Sequence, residues 1–401
     1  MAKKKVVAGK RAPALEGGAD ARHALLAAAE AGVRKRYKDA LMGRAAKELV
    51  LPSVFVSSNS LALDRICSGR NPGGLPIGPR AGRVVHVYGV WSTGKSLILD
   101  EWFKDVIVGH GGLGYRMESE GTADPHFANA IGLPLDLLHI DRPETLEAGL
   151  DHFIEWHDKI REKDETIPIV FGLDSLDSSE AERAADKGLS EGGGWRYGGG
   201  KSEALGAGLR KMATRTARYP TTLVILNQTR ENPGIMFGQK HQSTGGNAPH
   251  FYCSLELRLT RSPLGDIRGP YRGSPLTATQ RKRYGFGPAD HGDVVGRYVR
   301  ATVTKTKLAS TYQQYTDFYI DFNRGVHRWA GLLQRMIYEG KVLVREDGAV
   351  QQRLVDADGV VDTQDFPDAN AWTTYVAEHP EVLAPTAAEQ KQPTERDKSQ
   401  T

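Results

Sequence analysis

The stretch RVVHVYGVWSTGKS, residues 83–96, decides the fold of this chain. Its first half predicts a buried strand, and its second half fits the pattern G-x-x-x-x-G-K-S/T. Such a loop, placed between a strand and a helix, directs backbone N–H groups at phosphates, while its lysine neutralises phosphate charge and its hydroxyl binds Mg²⁺. The structural alternative is a glycine-rich turn that happens to contain a lysine. The predicted phosphate-binding residues are Gly89, Val90, Trp91, Ser92, Thr93, Gly94, Lys95, Ser96 and Leu97.

A Mg²⁺-nucleotide site also needs an acid at the end of a neighbouring buried strand. The run IVFGLD, residues 169–174, supplies one, so we predict that Ser96 and Asp174 bind the metal. The alternative role for Asp174 is to cap the N-terminus of a following helix. Hydrolysis further needs a group that positions water on the γ-phosphate. Glu118 and Glu120, at the end of another β-rich run, are the candidates.

Composition excludes several other classes of protein. With 401 residues, 39% hydrophobic and 25% charged, the chain can bury a sizeable core and suggests two or three structural units. Two cysteines, Cys67 and Cys253, cannot form a disulfide framework or a zinc ribbon. Because 53 basic residues face 49 acidic ones, nucleic-acid binding would depend on local patches. No apolar run approaches the length of a membrane span, so we expect a soluble, unexported protein without membrane partners.

Helical and β-rich runs alternate after residue 83, as in βαβ units, and this alternation predicts an α/β fold. Upstream, ten Lys and Arg face four acids within residues 1–40, and residues 21–38 are rich in Ala and Leu, which favours a helix. From residue 329 the pattern changes to short helices and a hairpin, which we interpret as a separate small domain. The polar residues 386–401 are predicted to be disordered.

Several segments, in the same order along the chain, resemble those of the RecA recombinases. The resemblance extends over about residues 21–382 and includes the family's strand, DNA-binding loop and catalytic-glutamate stretch. The segments outside the phosphate loop are residues 51–89 with GLP (74–76), ESEGTADP (118–125), LVILNQTR (223–230), GIMFG (234–238), STGGNA (243–248), VTKTKLA (303–309) and ANAW with the later HPE (within 369–382).

The resemblance implies specific roles around the nucleotide. The spacing to Asp124 assigns the catalytic acid to Glu120, and Gln228 would be the γ-phosphate sensor. Asp124 and Phe127 would hold the adenine, although the family usually has Tyr in place of this Phe. The catalytic residues implied in this way are Lys95, Glu120, Gln228, Lys305 and Lys307. The resemblance implies that the last two reach the ATP of the adjacent subunit, and alternate spacing on a strand places both on one face. A solvated strand edge is the alternative.

The resemblance also implies two DNA-binding loops, 178–201 and 229–247. Both are glycine-rich and carry cations and aromatic rings, which suit the backbone and bases of a single strand. Disordered active-site lids are the alternative, and Met236 and Phe237 could belong to an ordinary core. The implied DNA-binding residues are Arg196, Arg210, Met236, Phe237, Thr244, Gly245, Gly246 and Asn247. His250 and Glu256 replace cations that the family carries at its subunit interface.

The predicted architecture is therefore an α/β, RecA-type P-loop ATPase core with a mixed, mostly parallel sheet. An N-terminal polymerisation helix lies in 1–50, the core spans 51–328, a small α+β C-terminal domain spans 329–385, and a tail follows. The expected function is ATP- and Mg²⁺-dependent homologous pairing and strand exchange by a homo-oligomeric helical filament. Its partners would be single-stranded DNA and homologous duplex DNA, in the cytoplasm or, for a viral protein, the host cytoplasm. A ring-forming helicase or ATPase and a non-catalytic filament accessory protein are the alternatives.

Overall fold

The structure is a computed structural model that describes residues 18–36, 54–69, 73–77, 83–121, 124–179, 198–231, 241–243, 247–268, 294–307, 314–355 and 361–379. The chain divides into two compact units, Met1–Leu51 and Pro52–Thr401. In the first unit, helix α1 spans Gly18–Arg36, close to the predicted 21–38. Its Leu25 and Leu26 side chains are exposed to 59% and 52%. Within the described ranges, no helix is both long and apolar enough to cross a membrane.

The second unit is an α/β assembly. Its first helices are α2 Leu61–Ser68, α3 Lys95–Lys104, α4 Pro125–Ala130, α5 Leu146–Arg161, α6 Gly198–Arg218 and α7 Ala248–Tyr252. Helix α3 continues into a π-helical turn at Asp105–Gly109. The strands up to residue 326 are β1 Val54–Val56, β2 Leu75–Ile77, β3 Arg83–Gly89, β4 Leu113–Glu118, β5 Leu138–Asp141, β6 Ile169–Asp174, β7 Thr221–Glu231, β8 His241–Ser243, β9 Leu255–Arg268, β10 Val294–Thr306, β11 Tyr315–Asp321 and β12 Gly325–Val326.

Ten of these strands, counted among the described residues, form one mixed sheet. Strands β5, β4, β6, β7, β3 and β9 lie side by side and parallel, and β10, β11 and β12 extend the sheet antiparallel from β9. Strand β8 pairs antiparallel with β7. The register places Gly89 beside Gln228 and Glu118 beside Asp174. The carboxyl ends of four strands therefore meet at one edge, where parallel α/β sheets bind ligands.

Each face of the sheet is covered by helices, as the alternating strand residues require. Trp102 and Phe103 of α3 are fully buried on one face, where Val85 and Val87 of β3 also lie. Phe153 of α5 lies in a second cluster on the other face. Burying one such side chain stabilises the fold by about 1.5–3 kcal/mol. Gly172 of β6 permits the close approach of α3, because a Cβ there would lie 2.6 Å from Leu99 Cδ2.

The C-terminal part of the second unit has its own small core. This C-terminal part comprises α8 Leu332–Tyr338, β13 Val342–Val344, β14 Val350–Val355, β15 Val361–Phe366 and α9 Ala369–Glu378. Trp372 of α9 is buried and donates from its indole to Gln352 Oε1 at 2.7 Å. An ion pair between Arg65 of α2 and Glu339 connects this part to the rest of the unit. That residues 329–385 form a domain of their own stays a prediction.

Candidate active site

The phosphate loop connects β3 to α3 in the conformation that its glycines permit. Gly94 adopts a left-handed conformation with φ of 74° at the N-terminus of α3, where most residues with a side chain would be strained. A Cβ at Gly94 would meet Ile320 at 2.3 Å, and one at Gly89 would meet the Leu259 carbonyl at 2.2 Å. The first helical residue is Lys95, as the motif predicts. Backbone N–H groups at the start of a helix attract anions, so this loop fits a phosphate group.

Lys95 has an ammonium group that is held inside the loop. Its Nζ donates to the carbonyl oxygens of Gly89 at 3.2 Å and Val90 at 3.0 Å. Burial lowers the pKa of Lys95, although the nearby carboxylates of Asp174 and Glu120 partly oppose this effect. A nearby phosphate would stabilise the charged form of such a partly buried ammonium group. The position and charge of Lys95 therefore match the predicted phosphate contact.

Ser96 and Asp174 come together as the predicted metal-binding pair. Ser96 Oγ donates to Asp174 Oδ1 at 3.1 Å, and Asp174 is only 5% exposed. A hydroxyl and a carboxylate are hard oxygen ligands that suit Mg²⁺, which keeps several waters and binds through few protein groups. One carboxylate oxygen of Asp174 accepts from Ser96 and the other accepts from Arg116. A helix cap would instead accept from backbone N–H groups of the following helix.

The structure separates the two candidate acids at the end of β4. Glu118 is 3% exposed, and its carboxylate accepts from Arg142 Nε at 2.8 Å. Glu120 is exposed, and its Oε1 accepts from Ser175 Oγ at 2.6 Å and from Gln228 Nε2 at 3.3 Å. Only Glu120 of the two lies open to solvent beside the predicted γ-phosphate sensor. This geometry favours Glu120 over Glu118 as the acid that positions water.

A buried arginine beside the metal pair was not predicted from the sequence. Arg116, in the middle of β4, is 4% exposed. Its Nη1 donates to Asp100 Oδ1 and its Nη2 donates to Asp174 Oδ2, both at 2.6 Å. A signal was present in the sequence, because a charged residue between Tyr115 and Met117 of a buried strand requires a buried partner.

Lys305 lies near the end of β10 and Lys307 lies just after it, and Lys305 pairs with Glu256 of β9. Lys305 Nζ donates to the carbonyl of His250, and Glu256 accepts from Thr304 Oγ1 at 3.0 Å. Burial would raise the pKa of Glu256, but hydrogen bonds from its neighbours lower it to about 2. On one face of β9, Leu255, Leu257 and Leu259 are buried. Glu256, on the other face, is also buried because His86 lies against it at 3.0 Å.

The predicted alternation of the two lysines needs one adjustment. The β9–β10 pairing has an irregularity between Val303 and Lys305, and β10 ends at Thr306, one residue before Lys307. Lys307 N still donates to the Ser254 carbonyl at 2.7 Å, which extends the pairing by one residue. A common direction of both ammonium groups therefore stays a prediction.

The remaining predicted residues that the structure describes make other contacts or are exposed. The Asp124 carboxylate accepts from the backbone N–H groups of His126 and Phe127, so it caps α4, and Phe127 packs against the main core. Arg210 and Asn247 are exposed, the first on α6. The predicted DNA-binding residues that lie outside the described residues are Arg196, Met236, Phe237, Thr244, Gly245 and Gly246.

Comparison with known proteins identifies relatives along most of the chain. The family described as the RecA N-terminal domain matches residues 24–268, a range that includes the phosphate loop, Glu120, Asp174 and Gln228. Protein RecA of Salinispora tropica is 28% identical over 319 residues, which cover 80% of this chain and 79% of the relative. Protein RecA of a Nocardioides species is 29% identical over 328 residues, 82% of this chain and 81% of the relative. Protein RecA of a Chelativorans species is 28% identical over 327 residues, which cover 82% of this chain and 79% of the relative.

Proposed function

This chain belongs to the RecA family, and from that premise we propose that it is a DNA-dependent ATPase that forms helical filaments on single-stranded DNA. In the filament it would pair that strand with homologous duplex DNA and exchange strands. The observation that carries the proposal is the meeting of Lys95, the Ser96–Asp174 pair and the Glu120–Gln228 pair at one edge of the sheet. Phosphate binding, metal binding and water activation need these groups together.

Each group at this edge has a distinct part in ATP hydrolysis. The loop N–H groups and Lys95 bind the phosphates and neutralise their charge. Ser96 and Asp174 would hold Mg²⁺, which when bound neutralises charge that develops on the phosphates. Glu120 orients the attacking water and accepts its proton. Electrostatic stabilisation and positioning of this kind supply most of the acceleration in phosphoryl transfer.

Coupling to DNA would run through Gln228. The side chain of Gln228 donates to Glu120. Gln228 lies on β7, immediately before the predicted DNA loop, 229–247. The backbone N–H of Gln228 also donates to the carboxylate of Asp177, the residue immediately before the other predicted loop, 178–201. A change in the contacts of Gln228 can therefore reach both loops. Base pairing would supply sequence specificity, so the protein needs only contacts directed at the DNA backbone.

Coupling between subunits would depend on Lys305 and Lys307. A cation supplied from a neighbouring subunit stabilises transition-state charge only when the subunits are assembled, as an arginine finger does. The exposed apolar side chains of α1, including Leu25 and Leu26, support the predicted role of residues 1–50 in polymerisation. A second subunit is the partner that both features require.

Two measurements on the purified protein test this function. The first is the ATPase rate with and without single-stranded DNA. The second is negative-stain imaging with single-stranded DNA and a slowly hydrolysed ATP analogue, with Lys95→Ala as the control that lacks the phosphate contact. DNA-stimulated hydrolysis and helical filaments are expected. Closed rings would contradict this proposal and indicate a ring-forming helicase. Filaments that do not hydrolyse ATP would indicate a non-catalytic accessory protein.

A further inference from the structure

Arg116 forms a bridge behind the metal-binding pair. It is surrounded by the core on β4, and its two terminal nitrogens each contact a different carboxylate, Asp100 on α3 and Asp174 on β6, at 2.6 Å. Both acids are largely buried, with side chains exposed to 13% and 7%. The fork of a guanidinium is the side chain that can hold two carboxylates at fixed distances. Asp174 is therefore tied to the neighbouring strand and, through Arg116, to the helix that begins at the phosphate loop.

Fold stability alone does not account for this bridge. Replacing a buried ion pair by apolar residues of similar volume is often neutral or stabilising, because desolvation offsets the attraction. The arrangement is also incompletely satisfied, since Arg116 Nε has no hydrogen-bond partner among the described residues. What the bridge does provide is a fixed orientation for the two carboxylates that it joins.

The two oxygens of Asp174 are divided between different partners. Oδ2 accepts from Arg116, and Oδ1 accepts from Ser96 Oγ at 3.1 Å. With Oδ2 held, rotation of the carboxylate would break a charge-assisted hydrogen bond. Oδ1 is thus the oxygen kept next to the Ser96 hydroxyl. A ligand whose orientation is set in advance binds metal more tightly than one that must be ordered on binding.

We propose that Arg116, anchored by Asp100, is a positioning residue that holds the Asp174 carboxylate in the orientation needed for Mg²⁺ at the nucleotide site. This inference rests on the proposed function, because it assigns Arg116 a role within the same site. Arg116 does not touch the nucleotide or the metal in this role; it acts through Asp174. Loss of the bridge should weaken Mg²⁺ binding by about 10–100-fold, the range found for partners that orient metal ligands.

A charge-matched double variant separates positioning from electrostatics. Asp100→Leu combined with Arg116→Met removes one negative and one positive charge, so the net charge around Asp174 is unchanged while its anchor is lost. Arg116→Lys is the second variant, because a single ammonium keeps the charge but cannot form both contacts in fork geometry. Arg335→Met is the matched control, since Arg335 of α8 is similarly buried and pairs with Glu339, away from the nucleotide loop.

The measurement is the Mg²⁺ concentration that gives half-maximal binding of a fluorescent ATP analogue, with binding in EDTA measured alongside. For the double variant we expect this concentration to rise by about tenfold or more, with unchanged binding in EDTA. Arg116→Lys should shift it in the same direction, and should do so even if the double variant does not fold. A shift below twofold in the folded variants, or an equal shift in Arg335→Met, would overturn the positioning role. Wild-type protein that shows no Mg²⁺-dependent binding at all would instead overturn the proposed function, and this inference with it.

Discussion

Gln228 Nε2 donates to Glu120 Oε1 at 3.3 Å, which places the predicted γ-phosphate sensor in direct contact with the predicted catalytic acid. Gln228 lies on β7 and Glu120 follows the end of β4, and these two strands are not neighbours in the sheet. The contact is longer than most charge-assisted hydrogen bonds, so it can be exchanged for another partner at little cost. Glu120 also accepts from Ser175, which keeps the acid in place when Gln228 turns away.

Removing the Gln228 amide should uncouple hydrolysis from DNA. We expect Gln228→Ala to bind ATP with nearly normal affinity, because Lys95 and the loop are intact, but to lose most of the stimulation by single-stranded DNA. ATPase assays with and without DNA measure this directly. The control is Gln351→Ala on β14, which removes an amide that donates to Asp365 on β15. Full DNA stimulation in Gln228→Ala would exclude the sensor role.

The choice between Glu120 and Glu118 has a clear kinetic consequence. Glu120→Gln should keep nucleotide binding and slow hydrolysis by about 100-fold or more, the scale of a general base. Filaments of this variant should then persist after ATP is added. Glu118→Gln weakens the pair with Arg142 and should affect stability more than turnover. Normal turnover in Glu120→Gln together with loss of turnover in Glu118→Gln would show that the acid was wrongly assigned.

Arg210 tests the predicted DNA path, because it is exposed on α6 and described by the structure. If it contacts a phosphate, Arg210→Ala should weaken binding to single-stranded DNA of any sequence and lower the salt slope by roughly 0.7. Titrations at several salt concentrations give the slope. The control is Lys159→Ala on α5, an exposed lysine that pairs with Glu162. An unchanged slope in Arg210→Ala would remove this residue from the DNA path.

His157 makes stability depend on pH in a defined window. It is buried on α5, where its Nε2 lies 3.0 Å from Thr221 Oγ1, and burial lowers its pKa from 6.5 to about 4. The folded state therefore favours neutral imidazole. Its contribution to stability is complete above pH 6.5 and is lost as the pH falls through about 4, because the unfolded chain then binds the extra proton. Urea unfolding of His157→Gln should show a flatter pH dependence between these values than the wild type. Parallel curves would contradict the assignment.

Local patterns were sufficient to predict the nucleotide loop and the strand that ends at Asp174. Each depends on residues close together in the sequence, where strand alternation, helix periodicity and the glycine pattern act directly. The Arg116 bridge could not be predicted in the same way. Its partners Asp100 and Asp174 are 16 and 58 residues away, and they meet Arg116 only because β4 pairs with β6 and α3 packs on that sheet. The irregularity before Lys305 also depends on strand pairing, which periodicity does not report.

Substitution of the two lysines near the end of β10 tests whether the ATP site is completed across a subunit interface. Lys305→Ala combined with Lys307→Ala leaves the phosphate loop intact, so nucleotide binding by the protomer should persist. DNA-stimulated hydrolysis should fall by about 10³-fold, the scale of a cation supplied in trans. Equilibrium binding of an ATP analogue and ATPase rates measure the two effects separately.

Mixing this double variant with Lys95→Ala gives the sharper result. The first still has its phosphate loop and the second still has both lysines, so a mixed filament contains junctions where one complete site is formed from two defective subunits. Hydrolysis by the mixture should then exceed the sum of the two variants measured alone, and should rise with the fraction of mixed junctions. Lys341→Ala, next to β13, is the control for loss of a half-buried lysine away from the end of β10. If filaments shown to be mixed hydrolyse no more ATP than their separate components, the lysines act within one subunit or only in the fold, because an interface role requires complementation.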